Sequence, residues 1–215
     1  MAEDTTAELT SAYAELASRD PGLRALIDRF GTPDPFEFPD GGRTTGDDFA
    51  GLVLHILGQQ ISTNVALIIY DRLADMLRGR PTPAGILALG PDAIRSVGAS
   101  HSKAAYLLAL SQSVSTGELD LEALRGVGDE EAVLALTRIK GIGPWSAEMY
   151  LIHQLRRWDV MPAGDLAIRV AVRRLDRLEA TPSIAWVRQR GVPWAPYRTV
   201  AAALLWRSLG AEDGA

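Results

Sequence analysis

Apolar residues recur at three- and four-residue intervals through most of this chain, the spacing that lines one face of a helix. Leu9, Tyr13 and Leu16 share one such face, and Leu23, Leu26, Ile27 and Phe30 share a second. Residues 31–46, GTPDPFEFPDGGRTTG, form a connector rich in proline and glycine. Asp47 is placed to cap a helix through Phe49, Leu52, Val53 and Ile56. Further amphipathic stretches run over 64–77 and 103–114, the latter entered through Ser100-His101-Ser102, and Pro83 and Pro91 each stand near the start of a short helix. Helices are also predicted at 129–139, 144–157, about 165–178 and about 196–208. Strand patterning is sparse, since Phe36 and Phe38 alternate over too few residues to matter. The expected class is all-α with mostly short connections.

One junction in this pattern carries candidate chemistry. Residues 136–149 read LTRIKGIGPWSAEM. Leu136 and Ile139 keep helical spacing, Gly141-Ile142-Gly143 breaks it, and Pro144 opens a new helix. A glycine just past a helix end takes a left-handed conformation that side chains resist. Proline at the first helical position has the right φ and lacks an N–H that would be unpaired anyway. The product is a helix, a tight hairpin and a second helix whose first N–H groups are not screened by bulky side chains, a geometry suited to a phosphate.

Composition narrows the classes. At 215 residues, 47% hydrophobic and 23% charged, the chain is long enough for one cored domain, or one domain with two lobes. It has no apolar run of transmembrane length, and the acidic start MAEDTTAELT is unlike a signal or transit peptide, so a cytoplasmic location is expected. The absence of cysteine excludes disulfides, thiolate zinc sites and an iron–sulfur cluster. The net charge of −5 is unevenly spread. Residues 1–50 hold 4 basic and 11 acidic residues, a net of −7, whereas residues 138–207 hold 12 basic and 5 acidic, a net of +7. An acidic total therefore leaves room for a basic face, although any one of Arg156, Arg157, Arg173, Arg174 and Arg177 can simply solvate a helix. His55, His101 and His153 are far apart in sequence and show no metal-ligand pattern.

Four segments in order, ILGQQIS at 56–62, GIGPWSAE at 141–148, MPAGDLAI at 161–168 and WAPYRTVAAALLW at 194–206, resemble the helix-hairpin-helix DNA glycosylases with their Gly/Pro-rich loop and aspartate. Over about residues 47–207 the chain looks like the alkylated-purine branch, the bacterial 3-methyladenine DNA glycosylase II group. The resemblance implies two helical lobes with the active-site cleft between them. One lobe would span about 46–158, including the hairpin at 130–157, and the other about 1–45 plus 159–215. With about 46 residues before the first motif helix, there is no room for the β-rich N-terminal lobe of the close bacterial relatives, so a compact form is expected.

The family's catalytic aspartate falls on Asp165. A helix over 144–157 would carry the chain about 21 Å from the hairpin, and residues 158–164 could return roughly 23 Å, so Asp165 can lie back beside it. The competing use of Asp165 is an ordinary N-cap. Relatives that also cut the DNA backbone have a nucleophilic lysine two residues after the second hairpin glycine. Here that residue is Trp145, and the only lysines are Lys103 and Lys140. The resemblance thus implies a monofunctional hydrolase. Trp145 would stack on the cationic ring of an alkylated purine, unless it packs behind the hairpin. Trp206 matches a second pocket tryptophan, with a buried role as rival, while Trp194, Tyr197 and Arg198 read as structural. Met149 and Leu166 stand where the close match has pocket tyrosines. Gln59 falls at a pocket position, and Gln60 at the wedge that fills the space of a flipped base. Gly141, Gly143 and Ser146 would contact the DNA backbone. The carbonyls of Thr137, Ile139 and Ile142 would hold a structural cation with no part in bond cleavage, and no cofactor is implied for catalysis. The expected partner is damaged double-stranded DNA, met by a monomer with no membrane association. Two rivals remain: a helix-hairpin-helix module that binds DNA without chemistry, and a glycosylase for oxidised or mismatched bases.

Overall fold

The computed structural model describes residues 2–210, and every regular element among them is helical. Contacts divide the chain into two compact units. One joins the chain up to Glu37 to the chain from Arg156 onward, and the other runs from Phe38 to Leu155.

The second unit is built around α3 (Asp48–Gly58), in which every residue from Phe49 to Leu57 is buried. A helix apolar on all sides needs partners all round. They are α4 (Thr63–Leu77), α6 (His101–Ser115) and α8 (Pro144–His153), with α5 (Pro83–Ser96) packed on α6 and α4, and α7 (Asp129–Thr137) on α8. Pro83 and Pro91 behave as the sequence implies: α5 carries a non-helical Gly90 (φ 71°, ψ 175°) that separates two short helical pieces. The connector is ordered by Asp40, whose carboxylate accepts from the N–H groups of Gly42 and Thr44 and from Thr44 Oγ1. Arg43 joins it to α4 through both oxygens of Asp71.

The first unit packs α1 (Ala2–Arg19), α2 (Pro21–Phe30), α9 (Leu166–Leu175), α10 (Ile184–Arg190) and α11 (Arg198–Gly210). Leu16, Leu23, Ile168, Val172, Val187, Trp194, Val200 and Leu204 form its core. Trp194 is fully buried and donates Nε1–H to Asp20 at 2.8 Å, while Arg190 lies over its ring and pairs with both Asp20 and Asp176. Burial raises the Asp20 pKa, but the hydrogen bonds from Trp194 and Arg190 outweigh it and leave the carboxyl below its usual range. Tyr197 donates to Glu15, and Arg198 pairs with Asp159. Trp194, Tyr197 and Arg198 are thus structural.

The largest departures from the sequence reading are the end of α8 and the presence of α10. α8 stops at His153 instead of 157, because Arg156 turns to φ 53° and the Gln154 side chain lies across Gly51 of α3, filling the space a Cβ would occupy. α10 was not anticipated; Ser183 caps it by accepting from Trp186 N–H at 3.2 Å, directly after Pro182.

The three-dimensional fold also joins two histidines that the sequence keeps apart. His55 and His153 stack at 5.9 Å, and both touch Phe38. Burial, with the neighbouring His153 second, lowers the His55 pKa to about 3; burial lowers that of His153 to about 4, against a smaller opposing pull from Asp40. Below pH 6.5 the unfolded imidazoles take up protons that the folded ones refuse. Stability from this pair is therefore complete above pH 6.5 and is lost as pH falls toward 3–4. Thermal melting across this window should show Tm falling with acid, and His55→Phe should flatten the slope. An unaltered slope in that variant would rule the pair out as its source.

Candidate active site and nucleic-acid interface

The hairpin lies within the second unit. Ile142 N–H donates to Ile139 O at 3.0 Å, and Gly141 sits in that turn at φ 95°, where a side chain would be strained. Its backbone lies flat on Tyr106 of α6: a Cβ at Gly141 would fall 2.0 Å from Tyr106 Cγ. Gly143 differs. Its φ is −90°, and nothing lies within 4 Å of its would-be Cβ. Of the two, only Gly141 takes the left-handed backbone that favours glycine, whereas Gly143 leaves open space at the start of α8.

Capping chemistry also marks this place. Helices α2 to α6, α9 and α10 start on Asp, Ser or Thr side chains that accept from their first N–H groups. By contrast α7 and α8 start on Gly128 and Gly143 with no side-chain cap. At α8 the positive helix end therefore faces outward through Gly143 and Pro144, both exposed, with Arg138 and Lys140 exposed on the preceding turn. Ser146 is buried, its Oγ accepting from Gln59 Nε2 at 3.1 Å; the same amide donates to Gly141 O at 2.8 Å. Gln59 thus lies on the hairpin. Trp145 is half-buried in the first turn of α8, and Met149, one turn on, is buried. Gln60 is exposed and holds φ 59°. Thr137 is the last residue of α7, and Ile139 and Ile142 follow it, where helix carbonyls lack intrahelical partners. Ile139 O already accepts from Ile142 N–H, which leaves it one lone pair for a hard cation.

Asp165 belongs to the first unit. Val160 to Ala163 are buried, Asp165 N–H closes a turn onto Pro162 O at 2.9 Å, and Gly164 is exposed. Asp165 then caps α9: Oδ1 accepts from Ile168 N–H at 3.1 Å, and the side chain stays partly exposed. The cap and the candidate catalyst are thus the same carboxylate. Leu166 beside it is 65% exposed, a large apolar residue left in the open. On α11, Trp206 is half-buried and lines a cavity of about 590 Å³ with Arg29, Phe30, Arg207 and Gly210. Of the basic residues counted over 138–207, Arg190 and Arg198 are neutralised by aspartates, Arg169 donates to Pro182 O and Arg156 covers Phe36. Asp176 and Asp159 are already subtracted in the net of +7, and the contacts of Arg169 and Arg156 leave their charges in place.

Residues 53–196 match the family model for HhH-GPD superfamily base excision DNA repair proteins. The chain belongs to that superfamily. DNA-3-methyladenine glycosylase 1 of Schizosaccharomyces pombe is 31% identical over 214 residues, covering 98% of this chain and 92% of that protein. DNA-3-methyladenine glycosylase 2 of Escherichia coli K12 is 28% identical over 174 residues, 76% of this chain and 58% of that protein. The solved structure of the Schizosaccharomyces pombe 3-methyladenine DNA glycosylase in complex with abasic DNA superposes with a TM-score of 0.83 at 30% identity, covering 93% of this chain and 97% of the other. The all-α class and the glycosylase resemblance both hold. Of the side chains packed against this HhH-GPD hairpin, Tyr106 escaped the sequence reading; the glycine needed at 141 was legible, but not what the glycine packs against.

Proposed function

We propose that this HhH-GPD protein is a monofunctional DNA glycosylase that hydrolyses the N-glycosidic bond of N-alkylated purines, such as 3-methyladenine and 7-methylguanine, in base excision repair. The observation that carries this reading is Asp165, a partly exposed carboxylate fixed by its own helix, in a chain whose position 145 is tryptophan. A target base inside a duplex is out of reach, so the nucleotide must be flipped. Alkylation has already weakened the bond to be broken. An ionised Asp165 stabilises the positive sugar as the base departs and directs a water to it. Trp145, and Trp206 as a second ring, would stack on the cationic purine, with Met149 and Leu166 as apolar wall. Gly143 and the first turn of α8 would hold a phosphate. The carbonyls of Thr137, Ile139 and Ile142 would hold a hard cation that helps neutralise it. The partner is damaged double-stranded DNA, bound by a monomer in the cytoplasm. No helix among the described residues is long and apolar enough to cross a membrane.

Incubation with a duplex carrying 7-methylguanine should release the free base and leave intact abasic DNA. Borohydride should trap no covalent adduct, since Lys103 Nζ is held on Leu57 O and Lys140 lies ahead of the hairpin. A trapped species forming in step with strand scission would overturn the monofunctional assignment. DNA binding with no release from any lesion would leave the non-catalytic module, and release confined to oxidised bases would leave the other rival.

A further inference from the structure

The turn after α3 and the hairpin are joined by side-chain contacts between segments distant in sequence. The Gln59 amide spends both hydrogens across 82 and 87 residues of sequence, on Gly141 O and Ser146 Oγ. Two residues of α6, one helical turn apart, complete a bracket. Lys103 Nζ donates to Leu57 O at 2.7 Å, at the end of α3, and burial lowers its pKa. The Tyr106 ring fills the space against Gly141. Between these fixed points the chain turns sharply: Ile61 N–H donates to Gly58 O at 3.3 Å, and Gln60 is held exposed at φ 59°. A residue other than glycine stays in that conformation only where its surroundings determine it.

We infer that Gln59, with Lys103 and Tyr106 behind it, is a positioning residue that fixes the 58–62 turn against the hairpin, so that Gln60 and the start of α8 meet DNA as one rigid block. The two ends of the block touch different parts of a duplex. Rigid spacing lets the second contact form without a further ordering cost. Gln59 then contributes through the hairpin and touches no base. The inference rests on the proposed phosphate contact at the hairpin.

The test uses the full-length protein, with Gln59→Met and Gln59→Glu. Methionine keeps the length and removes both donors; glutamate keeps the shape and sets a carboxylate oxygen against Gly141 O. Three quantities are read: Tm, affinity for an undamaged duplex, and the single-turnover excision rate at saturating enzyme. Gln59→Met should weaken undamaged-duplex binding about tenfold, leave the saturating rate within about threefold, and lower Tm little. Gln59→Glu should bind more weakly still. In a Gly143→Asp background Gln59→Met should add less than threefold, because the hairpin is already disabled. Unchanged duplex affinity with a reduced saturating rate would make Gln59 a base contact and overturn the inference. Full additivity with Gly143→Asp would do the same, since the two would then act separately. A folded Gly143→Asp protein that binds DNA normally would overturn the hairpin reading itself, and this inference with it. If Gln59→Met unfolds below assay temperature, Gln59→Glu supplies the same comparison.

Discussion

Asp165→Asn should lower single-turnover excision of 7-methylguanine by about 100-fold or more while leaving DNA affinity and stability nearly unchanged. The magnitude follows from removing a preorganised charge from the place where positive charge develops. The clean separation follows from the cap. Asp165 Oδ1 accepts from Ile168 N–H, and asparagine is as good an N-cap as aspartate, so α9 keeps its start. Asp165→Ala is the poorer probe, because it also removes the cap, at a cost of about 1 kcal/mol. Excision within a few-fold of wild type in the asparagine variant would return Asp165 to capping alone.

Gly141→Ala carries the second large effect, this time on folding and binding together. The new Cβ meets the Tyr106 ring at 2.0 Å, and the residue must keep φ 95°. Left-handed backbone costs a side-chain-bearing residue about 1–2 kcal/mol, and a forced shift of a packed ring about 1–3 kcal/mol more. Urea denaturation should show a loss of about 2 kcal/mol or more, with weakened binding to damaged and undamaged duplex alike. Gly143→Ala is the matched control: its backbone is ordinary, its surroundings are open, and it should behave like wild type. Equal stabilities for the two alanine variants would show that the hairpin yields freely and that Gly141 is not required by its packing.

The elements most legible in the sequence are those whose cause is local. Asp47, Ser100 and Asp165 announce helix starts through their own side chains. Gly141 and Pro144 announce the hairpin in the same way, because φ is a property of one residue. What escaped notice depends on partners distant in sequence. Gln59 is a polar residue after a buried helix, and nothing near it shows that its amide turns to residues 141 and 146. His55 and His153 meet only because α3 packs on α8. The end of α8 at His153 is set by Gly51, which accepts the Gln154 side chain only for want of a Cβ. Trp145 and Trp206 stand out in the sequence by residue type alone, and both are half-buried.

Thr199 has a bearing on how substrate range could drift. Fully buried at the start of α11, its hydroxyl donates to Arg157 O and accepts from Val160 N–H, and its own N–H donates to Trp158 O. That stitch fastens the strand of chain leading to Asp165 onto the helix that, two turns later, carries Trp206. Carboxylate and indole therefore share one frame, and α9 packed on α11 stiffens it. Changes at Val200, Ala201 or Leu204 would displace both groups at once, moving charge and ring together instead of trading one against the other. A lineage that needed a new lesion would find its cheapest variation on open side chains such as Leu166, where size can change without disturbing the distance between Asp165, the proposed catalyst, and Trp206, the proposed stacking ring.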